Sequence, residues 1–369
     1  MRLRRLSLNT RFKTLSMAGA KACAMVHITN RTTPDTPTTT CSAQALGTKK
    51  EQGAALLMAM LTVALVAMLA STALWQQWRT LSVETAERHA QQAHWLLAGA
   101  QDWARVVLRE DGRSGNTDHP GEPWAMPLQE ARLSNFLAAD TSGVLNNSDG
   151  LADQVFLSGR IIDMQSRLNI RNLVVDGEID HSEFQIWLRL YRLLGLPEAE
   201  LQQWTAQLKS TLQTNAGNNT PLLPQHIEQL SWLGISNNSL ARLAPHITVL
   251  PVATTVNLNT ASPEVLSAVI AGLDISTARQ WESERNTKPW ESLDGLRQRM
   301  GPLAHNLNDK RHSLNTRYFQ ITGQLRLDSV TLVERSLVMG EGIVSKTVWR
   351  ERRALHAEPG CISTISPPC

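Results

Sequence analysis

An uninterrupted apolar segment extends from Ala54 to Leu74 and contains no charged residue. A helix of roughly 20 such residues can cross the hydrocarbon core of a bilayer. Lys49 and Lys50 precede the segment, and basic residues favour the cytoplasmic side of a membrane span. The sequence therefore predicts a single span with a cytoplasmic N-terminus and an exported C-terminal part.

A cleaved signal peptide is the main alternative for this segment. The small residues from Ala70 to Ala73 are compatible with a cleavage site, but the apolar core of a signal peptide is shorter, about 7 to 15 residues. Beyond the span, apolar residues continue at helical spacing as far as Leu108 without a proline. This pattern favours a membrane anchor that continues into an amphipathic stalk helix.

The residues around Gly53 resemble the processing site of type IV pilins and pseudopilins. In that family a prepilin peptidase cuts after the glycine and methylates the new N-terminal residue, which here would be Ala54. Most members carry Glu at the fifth mature position, where this chain has Met58. A carboxylate inside the membrane needs a partner, which in pilins is thought to be the N-terminal amine of a neighbouring subunit. A chain without this Glu resembles the K-type minor pseudopilin of type II secretion, which is thought to cap the tip of the pseudopilus.

Two more segments carry the same resemblance. Residues 158–170, which read SGRIIDMQSRLNI, are similar to a strand block of the K-type proteins, and residues 250–261 are similar to their asparagine-rich segment. The resemblance implies an α+β fold: a pilin-like N-terminal membrane and stalk helix packed on an antiparallel sheet, with a large all-α domain inserted between strands.

The order of local patterns agrees with that fold. Alternating strand patterns occur early and late, and helical patterns occupy the sequence between them. We expect the early and late strands to pair across the helical insertion. The predicted division is a leader at 1–53, in which 1–45 read as a mis-annotated extension, a membrane and stalk helix at 54–110, an α+β head at 111–175 and 311–352, an inserted helical domain at 176–310, and a tail at 353–369.

The resemblance also implies the function and the partners. It indicates a structural protein at the tip of the pseudopilus that helps to initiate assembly and export folded proteins across the outer membrane. The implied partners are the other minor pseudopilins, the prepilin peptidase and the inner-membrane secretion platform, and the implied location is the inner membrane with a periplasmic head. An enzyme is not expected, since the sequence contains no nucleophile elbow, phosphate-binding loop or HExxH motif.

A membrane-anchored, extracytoplasmic DNA-binding protein is the alternative function. Residues 254–305 resemble the helix-hairpin-helix unit of DNA-binding proteins, but Asp274 occupies the place of the second glycine in its turn. This segment has five basic and six acidic residues. The leader 1–53 has nine basic and two acidic residues, so the net charge of +3 leaves −4 for the remainder. A polyanion partner is therefore not favoured, and no nucleic acid is expected.

No cofactor is predicted. The resemblance implies a calcium site in an acidic loop, but this chain has no Asp or Glu between Trp204 and Ile227. Because calcium prefers carboxylate and other oxygen ligands, calcium is supported only by the resemblance. Residues 176–180, read DGEID, lack the order of an EF-hand loop and are interpreted as a solvated turn before a helix; His181, His226 and His246 belong to no metal motif.

Cysteine and tryptophan positions give two further expectations. Cys361 and Cys369 form a candidate disulfide in the tail, with two free thiols as the alternative, because the periplasm is oxidising. Tryptophans on apolar helical faces are expected in the core, whereas those beside prolines are candidates for partner contacts. The first group is Trp187, Trp204 and Trp232, and the second is Trp124 and Trp290.

Overall fold

The computed structural model describes residues 52–115, 117–135, 154–212, 222–327, 330–341 and 344–356. The chain divides into two compact units, residues 1–73 and residues 74–369. The described part of the first unit, residues 52–73, is entirely helical, and its side chains from Ala54 onward are exposed. It belongs to helix α1, which spans Gln52–Ser114.

The second unit contains the rest of α1 and a five-stranded antiparallel sheet. The strands are β1 (Leu128–Arg132), β2 (Val155–Asp163), β9 (Tyr318–Leu327), β10 (Val330–Glu341) and β11 (Val344–His356), in that spatial order. β2 pairs with β9 along its whole length, from Val155 opposite Leu327 to Asp163 opposite Phe319. Early and late strands thus pair across the intervening residues, and the predicted mixed fold with an antiparallel sheet is confirmed.

One face of the sheet packs on α1. Ala93, Leu97, Gln101, Ala104 and Leu108 recur at helical spacing and are buried. Gln101 lies above β10, where its amide donates to the Glu334 carbonyl at 3.4 Å and its carbonyl accepts from the Ser336 hydroxyl at 2.6 Å. These bonds satisfy a polar side chain within an otherwise apolar contact, which fixes the helix along the sheet.

The residues between β2 and β9 are mainly helical. The α-helices are α2 (His181–Leu193), α3 (Glu198–Leu212), α4 (Asn237–Leu243), α5 (Pro263–Val269), α6 (Ile275–Thr287) and α7 (Leu293–Met300). Three short ladders join them: β3 (Leu168–Asn169) with β6 (Ile247–Thr248), β4 (Val174–Val175) with β5 (Glu178–Ile179), and β7 (Val256–Asn257) with β8 (His312–Ser313). A 3₁₀ helix, Ile227–Leu233, lies between α3 and α4.

These helices share one hydrophobic core. Trp187 and Trp204, on α2 and α3, are fully buried and meet edge to face with ring centroids 5.2 Å apart. The Trp204 indole donates to the Tyr191 hydroxyl at 2.7 Å, so the polar end of the ring is satisfied inside the core. The expectation for these two tryptophans is confirmed.

Three other tryptophans differ from expectation. Trp232 is 51% exposed because the 3₁₀ helix turns Leu230 and Leu233 inward in its place. Trp124 is 3% exposed, stacks edge-on against Phe319 and donates from its indole to Glu122 at 2.8 Å. Trp290 is 8% exposed and packs edge-on against Trp281. The partner-facing expectation for Trp124 and Trp290 was wrong, because a neighbouring proline does not decide burial.

Candidate functional site

The predicted processing residues lie at the beginning of α1. Gly53 and Ala54 directly follow Gln52, the first residue of the helix. Met58 is 67% exposed and offers only apolar surface. Among the described residues, one helix, α1, is long and apolar enough to cross a membrane, and the candidate span within it begins at Ala54. Cleavage, methylation and the role of Met58 stay predictions.

The two sequence blocks singled out above meet in a buried polar cluster centred on Asp163. Asp163 ends β2, and its carboxylate accepts from the Asn257 amide at 2.9 Å, from the Thr260 hydroxyl and from the Gln165 backbone N–H at 2.7 Å. The Asn257 amide also donates to the Asp118 carbonyl at 3.0 Å. We call Asp163, Gln165, Asn257 and Thr260 the junction cluster, because it joins the sheet, the helical part and the loop after α1.

Asparagines at the other end of the blocks make backbone bonds. Asn169 donates to the Val252 carbonyl at 2.7 Å and accepts from the Leu250 N–H at 3.2 Å. Asn172 donates to the Thr254 carbonyl at 2.7 Å and accepts from its N–H at 2.9 Å. Both side chains thus mimic a strand partner for residues 250–254, which lack a regular ladder.

Asn259 has the same role for the segment after α6. Its amide donates to the Trp290 carbonyl and its oxygen accepts from the Trp290 N–H, both at 3.0 Å, and the side chain is fully buried. Arg285, which is 2% exposed, adds two bonds from its guanidinium to the carbonyls of Leu258 and Ala261. The asparagine-rich segment is therefore a structural connector within the helical part.

The helix-hairpin-helix-like turn lies between α5 and α6. Gly272 has a φ of 85°, and Asp274 is the N-cap of α6. One Asp274 oxygen accepts from the N–H groups of Ser276 and Thr277, both at 3.0 Å, and the other accepts from the Thr277 hydroxyl at 2.6 Å. The helix N-terminal amides that bind phosphate in such modules are thus occupied by the chain's own carboxylate.

Three of the four arginines of this segment are also occupied. Arg299 pairs with Glu284, and Arg297 pairs with Asp294 and Asp309. Arg285 is buried against carbonyl groups, and burial lowers its pKa to about 10. Of the five basic residues, Arg279 and Lys288 are exposed and make no side-chain hydrogen bond or ion pair among the described residues. Two such cations are few for neutralising nucleic-acid phosphates, so the geometry gives the DNA-binding alternative no support.

A cluster of carboxylates that sequence reasoning missed lies in the loop after α1. Asp111, Asp118 and Glu122 place one ligand oxygen each within 4.8 Å of the others. Asp111 belongs to the last turn of α1, which continues to Ser114, beyond the predicted end at residue 110. Hard cations such as calcium prefer this donor set. Glu122, however, already accepts from the His119 N–H and the Trp124 indole, both at 2.8 Å, so its ligand capacity is partly used.

Close packing of these acids changes their proton affinity. Burial, with repulsion from Glu122, raises the pKa of Asp111 to about 6. Burial also raises the pKa of Asp118 to about 7, and the charges of Asp163, Asp111 and Glu122 act in the same direction against the Thr316 backbone hydrogen bond. Burial raises the pKa of Asp163 as well. The sequence carried only a weak signal for this cluster, since the acids are separated by loop residues.

The other predicted candidates are dispersed. Asp176 and Gly177 form the positive-φ turn between β4 and β5, and Glu178 pairs with Lys209 at 2.6 Å. Asp180 caps α2 and pairs with Arg311 at 3.1 Å. His226 stacks on Trp349, whereas His246 hydrogen-bonds to Ser262. These contacts are structural. Residues 213–221 of the loop considered for calcium, together with Cys361 and Cys369, lie outside the described residues.

Comparison with known proteins finds a consistent similarity to one family. Two family models, both described as type II secretion system (T2SS), protein K, match residues 166–252 and 256–315. Both matched segments are similar to type II secretion protein K. The second match contains most of the helix-hairpin-helix-like segment, so that segment is a feature of protein K. The predicted resemblance to the K-type pseudopilins is confirmed.

Individual relatives agree with this assignment. Type II secretion system protein K of Pseudomonas aeruginosa is 26% identical over 302 residues, covering 75% of this chain and 85% of the relative. The protein K of Pectobacterium carotovorum subsp. carotovorum is 24% identical over 337 residues, covering 82% and 96%. A chain in the crystal structure of the GspK–GspI–GspJ complex from the enterotoxigenic Escherichia coli type 2 secretion system has a TM-score of 0.56 at 17% identity, covering 73% of this chain and 98% of that one. This likeness shows the fold.

Replacement of Asn259 by Ala should destabilise the second unit. The change leaves the Trp290 N–H and carbonyl buried without partners, which should lower the free energy of unfolding by about 2 to 4 kcal/mol. Urea unfolding of the full chain in detergent, followed by tryptophan fluorescence, measures the difference. The control is Asn238→Ala, at an exposed position of α4. Equal midpoints for the two variants would contradict the connector role of Asn259.

Stability should also depend on the ionisation of Asp118. The folded-state pKa of about 7 lies above the ordinary 3.8, so the folded chain binds the proton more tightly and the free energy of unfolding should fall as pH rises from 4 to 7. Asp118→Asn resembles the neutral form, so its Tm should exceed that of the wild type at pH 8 and match it at pH 5. Thermal unfolding in EDTA tests this without bound cations.

Asp176→Asn is the matched control for the pH experiment. Asp176 is exposed and has a φ of 52°, a conformation that asparagine tolerates well. This variant should keep the pH profile of the wild type. If Asp118→Asn lowered the Tm at pH 8, the carboxylate would be stabilising in its charged form, and the assignment of a raised pKa would be wrong.

Proposed function

We propose that this chain is the minor pseudopilin at the tip of the type II secretion pseudopilus, where it helps to initiate assembly and the export of folded proteins across the outer membrane. The main observation that supports this proposal is the match to protein K over residues 166–252 and 256–315. The exposed apolar segment of α1 that begins at Ala54 supports a single inner-membrane span with a cytoplasmic N-terminus and a periplasmic head. This is a role in assembly rather than catalysis.

Other minor pseudopilins are the proposed partners. The structural neighbour is part of a complex of GspK with GspI and GspJ, which supports assembly of this chain with pseudopilins of those types. Small residues along the apolar segment would permit close lateral packing of helices in the membrane. They are Ala59, Ala64, Ala67 and Ala70. The prepilin peptidase and the inner-membrane platform are proposed as further partners.

The side chain of Met58 supports the tip position. A subunit with Glu at this place can satisfy the N-terminal amine of a neighbour, because opposite charges pair strongly in a membrane. Met58 has no charge, so this subunit offers nothing to the amine of a subunit above it. It therefore fits the terminal position, which has no such neighbour. The helical residues between β2 and β9 also enlarge the head beyond what a regular fibre would stack.

Processing after Gly53 gives the first test. With an active prepilin peptidase, mass spectrometry of the purified chain should find a methylated Ala54 at the N-terminus, and the uncut chain should accumulate without the peptidase. Gly53→Leu should abolish cleavage, since a side chain then occupies the position before the cut. Gly99→Leu is the control, because a Cβ at Gly99 has no heavy atom within 4 Å. An N-terminus just after Ala73 would instead indicate an ordinary signal peptide.

Crosslinking in cells tests the tip position. In a chain with the native cysteines replaced by serine, a single cysteine at Val175, Val252 or Trp232 samples the exposed surface of the head. A tip subunit should form heterodimers with other pseudopilins and no ladder of its own multimers. Val265→Cys, at a fully buried position, should give no product. A regular ladder of this chain would contradict the tip position while leaving membership of the family intact.

A further inference from the structure

A row of arginines crosses the sheet face opposite α1. Arg160 on β2 and Arg335 on β10 both lie opposite Thr322 on β9 in the strand register. The next residues, Ile161 and Ile321, pack on the α1 side, so Arg160 and Arg335 project from the other face. Two strand spacings separate their backbones by about 10 Å.

A third arginine lies beside this row. Arg167 follows the 3₁₀ turn Met164–Ser166 at the end of β2. Burial together with the charge of Arg335 lowers the pKa of Arg160. Burial together with the charge of Arg160 lowers the pKa of Arg167, and the charge of Asp163 acts in the opposite direction. The three cations therefore lie close enough to repel one another. We call Arg160, Arg167 and Arg335 the arginine row.

The arginine row lacks close acidic partners. Among the described residues, no carboxylate lies within 4.0 Å of the Arg160 or Arg167 guanidinium, and Arg160 Nε is buried without a hydrogen-bond partner. Arg335 reaches only Glu228, at 4.0 Å, whose side chain is 64% exposed.

The nearest acids are already in use. Asp163, the carboxylate closest in sequence to Arg167, accepts from Asn257, Thr260 and the Gln165 N–H. Glu351 lies opposite Arg335 in the register but binds Arg353 at 2.6 Å. By contrast, Arg326 on the same face pairs with Glu130 at 2.6 Å. The arginine row thus differs from Arg326, which has a close carboxylate on the same face.

An external carboxylate would correct this imbalance. A partly buried guanidinium without a counter-charge is costly, and arginine binds carboxylates through two parallel hydrogen bonds. The backbones of Arg160 and Arg335 are about 10 Å apart, a distance that one small ion does not span. An extended peptide places alternate side chains about 7 Å apart, so successive acids can reach successive arginines. The half-buried neighbours Gln320, Thr322 and Gln324 are polar, which does not suit an apolar partner.

We propose that Arg160, Arg167 and Arg335 form a docking site for an extended acidic segment of a partner protein. The site uses the sheet face and the turn after β2. It does not depend on the position of this subunit in the fibre, so it could hold even if the tip assignment failed.

Binding of a fluorescent hexaglutamate peptide to the full chain in detergent tests the proposal. Fluorescence anisotropy should show saturable binding that weakens as salt is added. Arg160→Gln and Arg335→Gln should each weaken binding about tenfold, as expected for the loss of one charge-assisted contact. Arg326→Gln, at a paired arginine on the same face, should change the affinity less than about twofold.

Competition experiments need no variant and decide between ligand sources. Hexaglutamate should compete with its labelled form, and hexalysine should not. Inorganic phosphate competing at the same concentration as hexaglutamate would indicate a simple ion site and overturn the peptide proposal. Absence of saturable binding, or an equal loss in Arg326→Gln, would also overturn it.

Thermal unfolding should show that both arginine variants are folded, since each removes repulsion within the row. If one variant does not fold, the other variant and the competition experiment decide.

Discussion

The fold depends on the junction cluster, where the chain leaves the sheet and returns to it. Asp163 ends β2 and pairs in register with Phe319 near the start of β9, so the helical residues enter and leave at one place. There Gln165 accepts from the Arg317 N–H at 2.7 Å and donates to the Thr255 carbonyl at 3.0 Å. Buried polar groups must find hydrogen-bond partners within the protein, so few other placements of these segments would satisfy them. The cluster thus seats the helical part on the sheet.

This construction suits the proposed role in assembly. One face of the sheet packs on α1, and the junction cluster holds the helical part against the sheet. The two-residue ladder of β7 and β8 is too short to position the helices by itself. A rigid head presents the same surface to each partner and loses little conformational entropy on binding. The arginine row lies on that rigid frame, since both Arg160 and Arg335 belong to long central strands.

The helix-hairpin-helix-like segment shows how one local pattern can serve two purposes. Asp274 instead of glycine converts a potential phosphate site into a self-capped helix, because a carboxylate now accepts from the amides at the start of α6. Asn259 then ties this hairpin to Trp290. The charge count of the segment already disfavoured DNA, and the structure supplies the reason in terms of individual bonds.

By itself the sequence determined the membrane-length helix, the mixed fold, the pairing of early with late strands and the family, because apolar periodicity and local motifs are properties of neighbouring residues. The tertiary structure alone decided the burial of Trp124 and Trp290 and the exposure of Trp232, since burial depends on what packs from elsewhere in the chain. It also decided the acid cluster of Asp118 and the arginine row. Arg335 is distant in sequence from Arg160, and the strand register brings the two together. Asp111, Asp118 and Glu122 are near one another in sequence, but only the folding of the loop after α1 brings their carboxylates into one cluster.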